Sequence, residues 1–263
     1  MSHSRVTDFA AALADGSVEV VDLTQPLSER TPVLRLPEPF ANTPHLSRRT
    51  LSRYDDAGPA WAWDVLELGE HTGTHIDAPI HWITGREGED VSAIPPRRLV
   101  GPAMVIDRTA EVAADPGYVL TVDELDAFER DHGPIAPGTW LIFRTGWGAR
   151  AADEEAFLNA GPEGPASPGP DVAAAKWLGE HPNVVGWGVE TVGIDAGAAG
   201  GFDPPFPVHN FLLGAGRYGL TQLANVEALP ETGAIVVVAP LKLVGGTGCP
   251  SRVFAFVPRE AVA

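Results

Sequence analysis

Eleven residues, His71-Thr72-Gly73-Thr74-His75-Ile76-Asp77-Ala78-Pro79-Ile80-His81, restrict this chain more than any other stretch, because they gather three histidines and an aspartate that a helix cannot present together. His71 and His75 would share a helical face, but Asp77 would point away from both. Pro79 lacks the amide that should bond to the carbonyl of His75. In extended chain, side chains of equal parity face one way, so His71, His75, Asp77 and His81 project to one side. Gly73 permits a tight bend between the first two histidines, and the hydroxyls of Thr72 and Thr74 can hold the backbone or the ligating side chains. Imidazole nitrogen and carboxylate oxygen bind zinc, manganese or iron(II), and two His plus one Asp leave coordination positions open for water or substrate. The helical zinc-protease pattern is absent, since it needs a Glu directly after the first of two histidines, whereas Glu70 precedes His71. Two other uses of the same side chains stay open at this point: a buried polar network and a metal-free His/Asp acid-base site.

The flanking sequence reads as alternating strands and helices. Thr7 is expected to cap a helix to about Ala14, ended by Gly16, and Val18 to Leu23 is a strand. Prolines at 32, 37, 39 and 44 make Thr31 to Pro44 a loop. Ala60 to Leu68 has strand character, with Trp61, Trp63 and Val65 of one parity expected in the core, leading straight into His71. Trp82, beside His81, is the expected substrate contact. Further strands are expected at Leu99 to Asp107, Trp140 to Phe143, Val184 to Val189, Ala234 to Ala239 and Arg252 to Val257. Thr121 and Glu124 form a capping box for a helix with Leu125 and Phe128 inward, and Asp171 caps another to about Leu178. The Gly- and Pro-rich stretch Asn159 to Pro170 is a loop. Arg144, at a strand end, can either bind a substrate carboxylate or pair structurally. Asp195 can cap a turn or take part in chemistry. The glycines of Gly245-Gly246-Thr247-Gly248 lack the strand-to-helix setting of a nucleotide loop and instead let backbone approach the site closely.

Composition narrows the partners. With 263 residues and 44% hydrophobic content, the chain can bury one large core, and it reads as a single domain over 1–263. A formal charge of −17, from 35 acidic and 18 basic residues, argues against nucleic-acid or anionic-membrane partners. The single Cys249 excludes an intrachain disulfide framework. No span approaches the roughly 18 uninterrupted apolar residues of a membrane helix, and no signal segment is evident, so the expected location is the cytoplasm.

The eleven residues match the signature His-x-Gly-Thr-His-x-Asp-x-Pro-x-His, and the chain thereby resembles the cyclase-like metal-dependent hydrolases, which include bacterial kynurenine formamidases and isatin hydrolases. The resemblance implies the α/β, cyclase-type swivelling β/β/α fold. It implies a divalent metal on His71, His75 and Asp77, with His81 acting near the substrate as base or proton shuttle. The segments Asp22-Leu23-Thr24-Gln25-Pro26-Leu27 and Arg144-Thr145-Gly146-Trp147 are also similar to the family, although Gln25 stands where a histidine is usual. Loops such as Thr31 to Pro44 wall the substrate pocket in the family. His209, before Leu212-Leu213, resembles a histidine that binds a second metal in formamidases, together with a glutamate about twelve residues later. Here Thr221 or Gln222 stands in its place. Neutral oxygens bind transition ions more weakly than a carboxylate, so one divalent metal per chain, Mn2+ or Zn2+, is expected. His209 is then free for proton transfer, its alternative being a structural hydrogen bond, and Gln222 for a weak ligand role or as a hydrogen-bond donor to the substrate. The implied activity is hydrolysis of a C–N bond in a small aromatic amide or lactam, as in isatin hydrolases, by a homodimer or homotetramer. The alternatives are an arylformamidase and, in another class, a metal-containing small-molecule binding protein or a non-hydrolytic cyclase or dehydratase.

Overall fold

Strands with an apolar side chain on both faces need cover on both sides, and the architecture supplies it. A computed structural model describes residues 4–161 and 164–259, so Pro162 and Glu163 of the expected 159–170 loop, and the ends of the expected 1–263 domain, lie outside the described residues. The principal strands are β1 (Val18–Asp22), β2 (Ser47–Asp55), β3 (Gly58–Glu67), β4 (His75–Asp77), β5 (Val100–Asp107), β6 (Thr139–Arg144), β7 (Val184–Val189), β8 (Tyr218–Thr221), β9 (Ala234–Pro240) and β10 (Gly248–Pro258). β5, β6, β7 and β8 lie parallel in that spatial order. β9 joins β5 antiparallel and β10 joins β9, while β4 runs antiparallel between β8 and β10. The sheet thus closes on itself, with β1 attached alongside β10. Closure leaves the three-residue β4 with a partner on each side.

Parity then separates two cores. Ala103, Val105, Trp140, Ile142 and Leu220 point inward with Ile76, Val236 and Val253. Met104, Ile106, Leu141, Phe143, Trp187 and Val189 point outward, against the helix layer. That layer includes α2 (Val122–His132) and α3 (Val172–Glu180), whereas α1 (Arg5–Asp15) precedes β1. The capping signals behave as local chemistry requires. Thr121 N and Oγ1 donate to Glu124 Oε2 at 2.9 and 2.8 Å, and Leu125 and Phe128 are buried. Asp171 Oδ1 accepts from Ala174 N at 2.7 Å. α1 begins earlier than expected, since Ser4 rather than Thr7 is the N-cap, and Gly16 ends it in the left-handed region with φ 78°.

One expectation fails. β3 forms, but its partner is β2, whose Ser-Arg-Arg-Thr-Leu-Ser-Arg-Tyr-Asp has no apolar alternation to announce a strand. The two pair only with each other, outside the closed sheet. Among the described residues no core cluster includes the hairpin, and Trp61 and Trp63 are 50% and 57% exposed rather than buried. Within the 159–170 loop, Gly169–Pro170 form a short parallel pair with Val119–Leu120. Among the described residues, no helix is long and apolar enough to cross a membrane.

Candidate metal centre

β4 is held from both sides, with Asp77 opposite Gly219 of β8 and Gly248 of β10. These two positions tolerate no side chain. A Cβ on Gly219 would lie 2.7 Å from Asp77 Oδ2, and one on Gly248 would lie 2.4 Å from His71 Cε1. The four functional side chains converge by bending rather than by parity alone. Gly73 turns the chain with φ 64°, only His75–Asp77 is strand, and Pro79 opens a short 3-10 turn that carries His81. One ligand atom each of His71, Asp77 and His81 lies within 4.8 Å of the others. His71 Nδ1 is 2.8 Å and His75 Nε2 is 3.3 Å from the same Asp77 oxygen, Oδ1. The rings of His71 and His81 face each other with centroids 3.9 Å apart. His75 and Asp77 are buried, and His71 and His81 are half-buried, so the cluster has one open side.

Surrounding hydrogen bonds orient the imidazoles. The Nδ1–H of His75 donates to Gly73 O at 2.7 Å, with the Thr221 hydroxyl 2.9 Å from the same nitrogen, which directs Nε2 at Asp77. His71 Nε2 donates to Thr247 Oγ1 at 3.0 Å, and Thr247 Oγ1 donates to Glu70 Oε2 at 2.6 Å, which directs His71 Nδ1 at Asp77. Thr74 Oγ1 accepts from Gln25 N at 2.9 Å and donates to Gln222 O at 2.6 Å, so it holds backbone. Burial pushes His81 down to about 3, Asp77 opposing, so its imidazole is neutral. Against the penalty of its burial, His75 and His71 hold Asp77 well below the usual carboxylate range. Imidazole nitrogens turned toward one ionised carboxylate are a donor set that fits a divalent ion.

On the open side, His209 starts a single π-helical turn, His209–Leu213. Its ring lies 5.6 Å from His81 and 4.8 Å from Trp82, centroid to centroid. Its Nδ1 donates to Asp195 Oδ2 at 2.5 Å, and Asp195 Oδ1 accepts from Val208 N at 2.7 Å. Burial lowers the His209 pKa, but the hydrogen bond and charge of Asp195 outweigh it, and the net direction is upward. Beyond His209 lies a cavity of about 320 Å³ whose walls include Leu34, Leu36, Leu158, Val192 and Phe206. It is mostly apolar, and Phe206 meets Trp82 edge to face at 5.7 Å.

The cyclase family model matches residues 21–196, two thirds of the chain. This chain belongs to the cyclase family. It is 48% identical over 261 residues to an isatin hydrolase of Roseibium aggregatum, covering 98% of this chain and 99% of that one. A crystal structure of an isatin hydrolase bound to the product analogue thioisatinate superposes with a TM-score of 0.95 at 48% identity, covering 98% of this chain and 100% of that one. A kynurenine formamidase of Salinibacter ruber is 31% identical over 189 residues, 71% of this chain and 76% of that one. This cyclase-family chain is an enzyme of the C–N hydrolase type, with the α/β fold of its relatives.

The remaining candidates divide. Trp82 stands at the mouth of the cluster beside His209. Gln222 is buried in a left-handed conformation with φ 53°, its Nε2 donating to Pro32 O at 3.4 Å and its Oε1 without a partner among the described residues. Arg144 stands apart. It pairs with Asp107 at 2.8 Å and donates to Leu229 O at 3.1 Å, in a different cleft from the histidines. Glu70, Thr247 and Phe206 were not legible as site residues. Only the glycines around Thr247 gave a signal, that of close backbone approach. The Thr31 to Pro44 loop does wall the cavity, through Leu34 to Pro37.

Proposed function

We propose that this chain hydrolyses the lactam C–N bond of an isatin-class substrate, with one divalent ion, Mn2+ or Zn2+, on His71, His75 and Asp77. The observation that carries this reading is the oriented imidazole-carboxylate cluster opening through His209 onto an apolar cavity sized for a small aromatic ring. A divalent ion bound there supplies Lewis-acid polarisation of the substrate carbonyl and acidifies water. The aromatic ring packs between Phe206 and the aliphatic wall of Leu34, Leu36 and Val192, which also excludes bulk water, and Trp82 meets it from beside His209 and Phe206. His81, neutral and beside His71, accepts the proton of the attacking water as the C–O bond forms. His209, oriented and kept basic by Asp195, delivers a proton to the leaving nitrogen as the C–N bond breaks, giving an amine and a carboxylate. Gln222 Oε1, buried and without a partner among the described residues, is an acceptor for a substrate N–H that reaches it.

The absence of a carboxylate at Thr221 and Gln222 supports one ion rather than two. The exposed Trp61, Trp63 and Leu66 of the hairpin support assembly of the chain as a homodimer or homotetramer, since isolated apolar ribbons of this kind are covered in stable proteins. The test is a steady-state assay of isatin and N-formylkynurenine with Mn2+- and Zn2+-loaded protein, beside metal analysis. Turnover of isatin with one ion per chain is expected. Faster turnover of N-formylkynurenine with two ions would replace this reading by an arylformamidase. Unchanged turnover in a folded His81→Ala variant would remove its role.

A further inference from the structure

A second cleft opens at the other end of the parallel strands, where β5, β6, β7 and β8 begin. Its walls are the residues just before those strands, among them Arg97, Arg98, Gly138, Asn183 and Arg217, around about 460 Å³. Asp195 and Gln222, by contrast, follow the far ends of β7 and β8. Three arginines lining one hollow stand out in a chain with 18 basic against 35 acidic residues. Other partly buried arginines have carboxylate partners, Arg108 with Glu124 and Arg144 with Asp107. Arg98 is partly matched, with Nη1 donating to Tyr218 Oη at 3.0 Å and to Gly216 O at 3.3 Å, and Glu89 at 3.5 Å.

Arg217 is different. It is half-buried, and its Nε donates to Gly179 O at 2.9 Å. Among the described residues, neither of its Nη groups has a hydrogen-bond partner, and no carboxylate comes within ion-pair distance of Arg217 or Arg97. Burial, and then the like charge of Arg98, lower the Arg217 pKa, and among the described residues Glu89, on Arg98, is the one carboxylate within ion-pair distance of the three arginines. The sheet is irregular in the same wall, where the register between β7 and β6 shifts between Val184 and Gly186.

We propose that this cleft binds a phosphate-class oxyanion, either free or as the phosphate group of a small metabolite, between the guanidiniums of Arg217, Arg97 and Arg98. A guanidinium offers a planar fork of donors that matches two phosphate oxygens at once. A multiply charged anion there also offsets the repulsion between Arg98 and Arg217, which a neutral ligand does not. The site is independent of the hydrolase reading and survives its failure.

The test is thermal unfolding of the metal-loaded full chain in rising inorganic phosphate, with sodium chloride holding ionic strength constant. A saturable rise of about 2–4 °C is expected in the wild type. It disappears in Arg217→Gln and shrinks in Arg97→Gln, while the metal content of both variants stays unchanged. Arg97 is exposed and outside the core, so Arg97→Gln decides the matter even where Arg217→Gln fails to fold. No saturable rise at constant ionic strength overturns the proposal. So does an equal rise in Arg97→Gln, which puts the phosphate at the metal or elsewhere, and so does an equal rise with acetate, which removes the preference for phosphate.

Discussion

Two neighbouring segments reverse the usual relation between polarity and burial. Hairpin β2–β3 exposes Tyr54 at 71%, Trp63 at 57% and Leu66 at 57%, whereas Thr72, Thr74, His75 and Asp77, a few residues later, are all at most 3% exposed. Buried polar groups are costly unless paired. In the second segment the pairing is dense, through Gly73 O, Thr221, Thr247, Gln25 and Gln222, with the Thr72 hydroxyl as the exception. Polar burial there aims desolvated donors at one point, an arrangement that could hold a metal ion. The hairpin has no comparable account within one chain. Among the described residues its exposed aromatic and aliphatic side chains meet no core of their own chain.

The comparison can be broken most sharply at Asp77. Asp77→Asn removes the charge that both His71 and His75 face, and metal content and isatin turnover should each fall by more than about 100-fold, read by elemental analysis and steady-state kinetics. Full retention would make the buried cluster purely structural. Trp63→Glu tests the other side. A charge on the proposed interface should weaken self-association by about 30-fold or more, with monomer appearing in sedimentation velocity runs while the isolated subunit keeps its circular dichroism. An unchanged oligomer would mean that the hairpin is simply solvated. Arg144→Met sharpens the contrast from a third place, since its pairing with Asp107 belongs to the sheet and not to the site. Stability should drop by about 1–3 kcal/mol in urea titrations, with turnover within about twofold of wild type. A selective rise in KM would return Arg144 to substrate binding.

The smallest effect belongs to a pair with neither burial nor chemistry. His132 donates to Glu231 at 3.0 Å, which raises its pKa above the ordinary 6.5. A raised histidine pKa stabilises below the unfolded value, and that contribution is lost as pH rises through the folded one. His132→Gln should therefore cost about 0.5 kcal/mol or less at pH near 5.5 and nothing at pH near 9. A gap that widens with pH would contradict the pairing.

What the sequence determined by itself is whatever depends on a few consecutive residues. The non-helical backbone of the signature follows from Gly73 and Pro79, the ends of α2 and α3 from Thr121, Glu124 and Asp171, and the two-faced strands from their apolar runs. That imidazole and carboxylate groups gather there was legible for the same reason, since donor chemistry is a property of side-chain type. Only the tertiary structure decided the rest. Sheet closure pairs β4 with β10 from far along the chain, and Asp195 reaches His209 across a loop; neither leaves a local trace. Trp61 and Trp63 read as core because aromatic parity is identical in a buried and an exposed strand. Burial is settled by what lies opposite, and a single strand does not encode its neighbour.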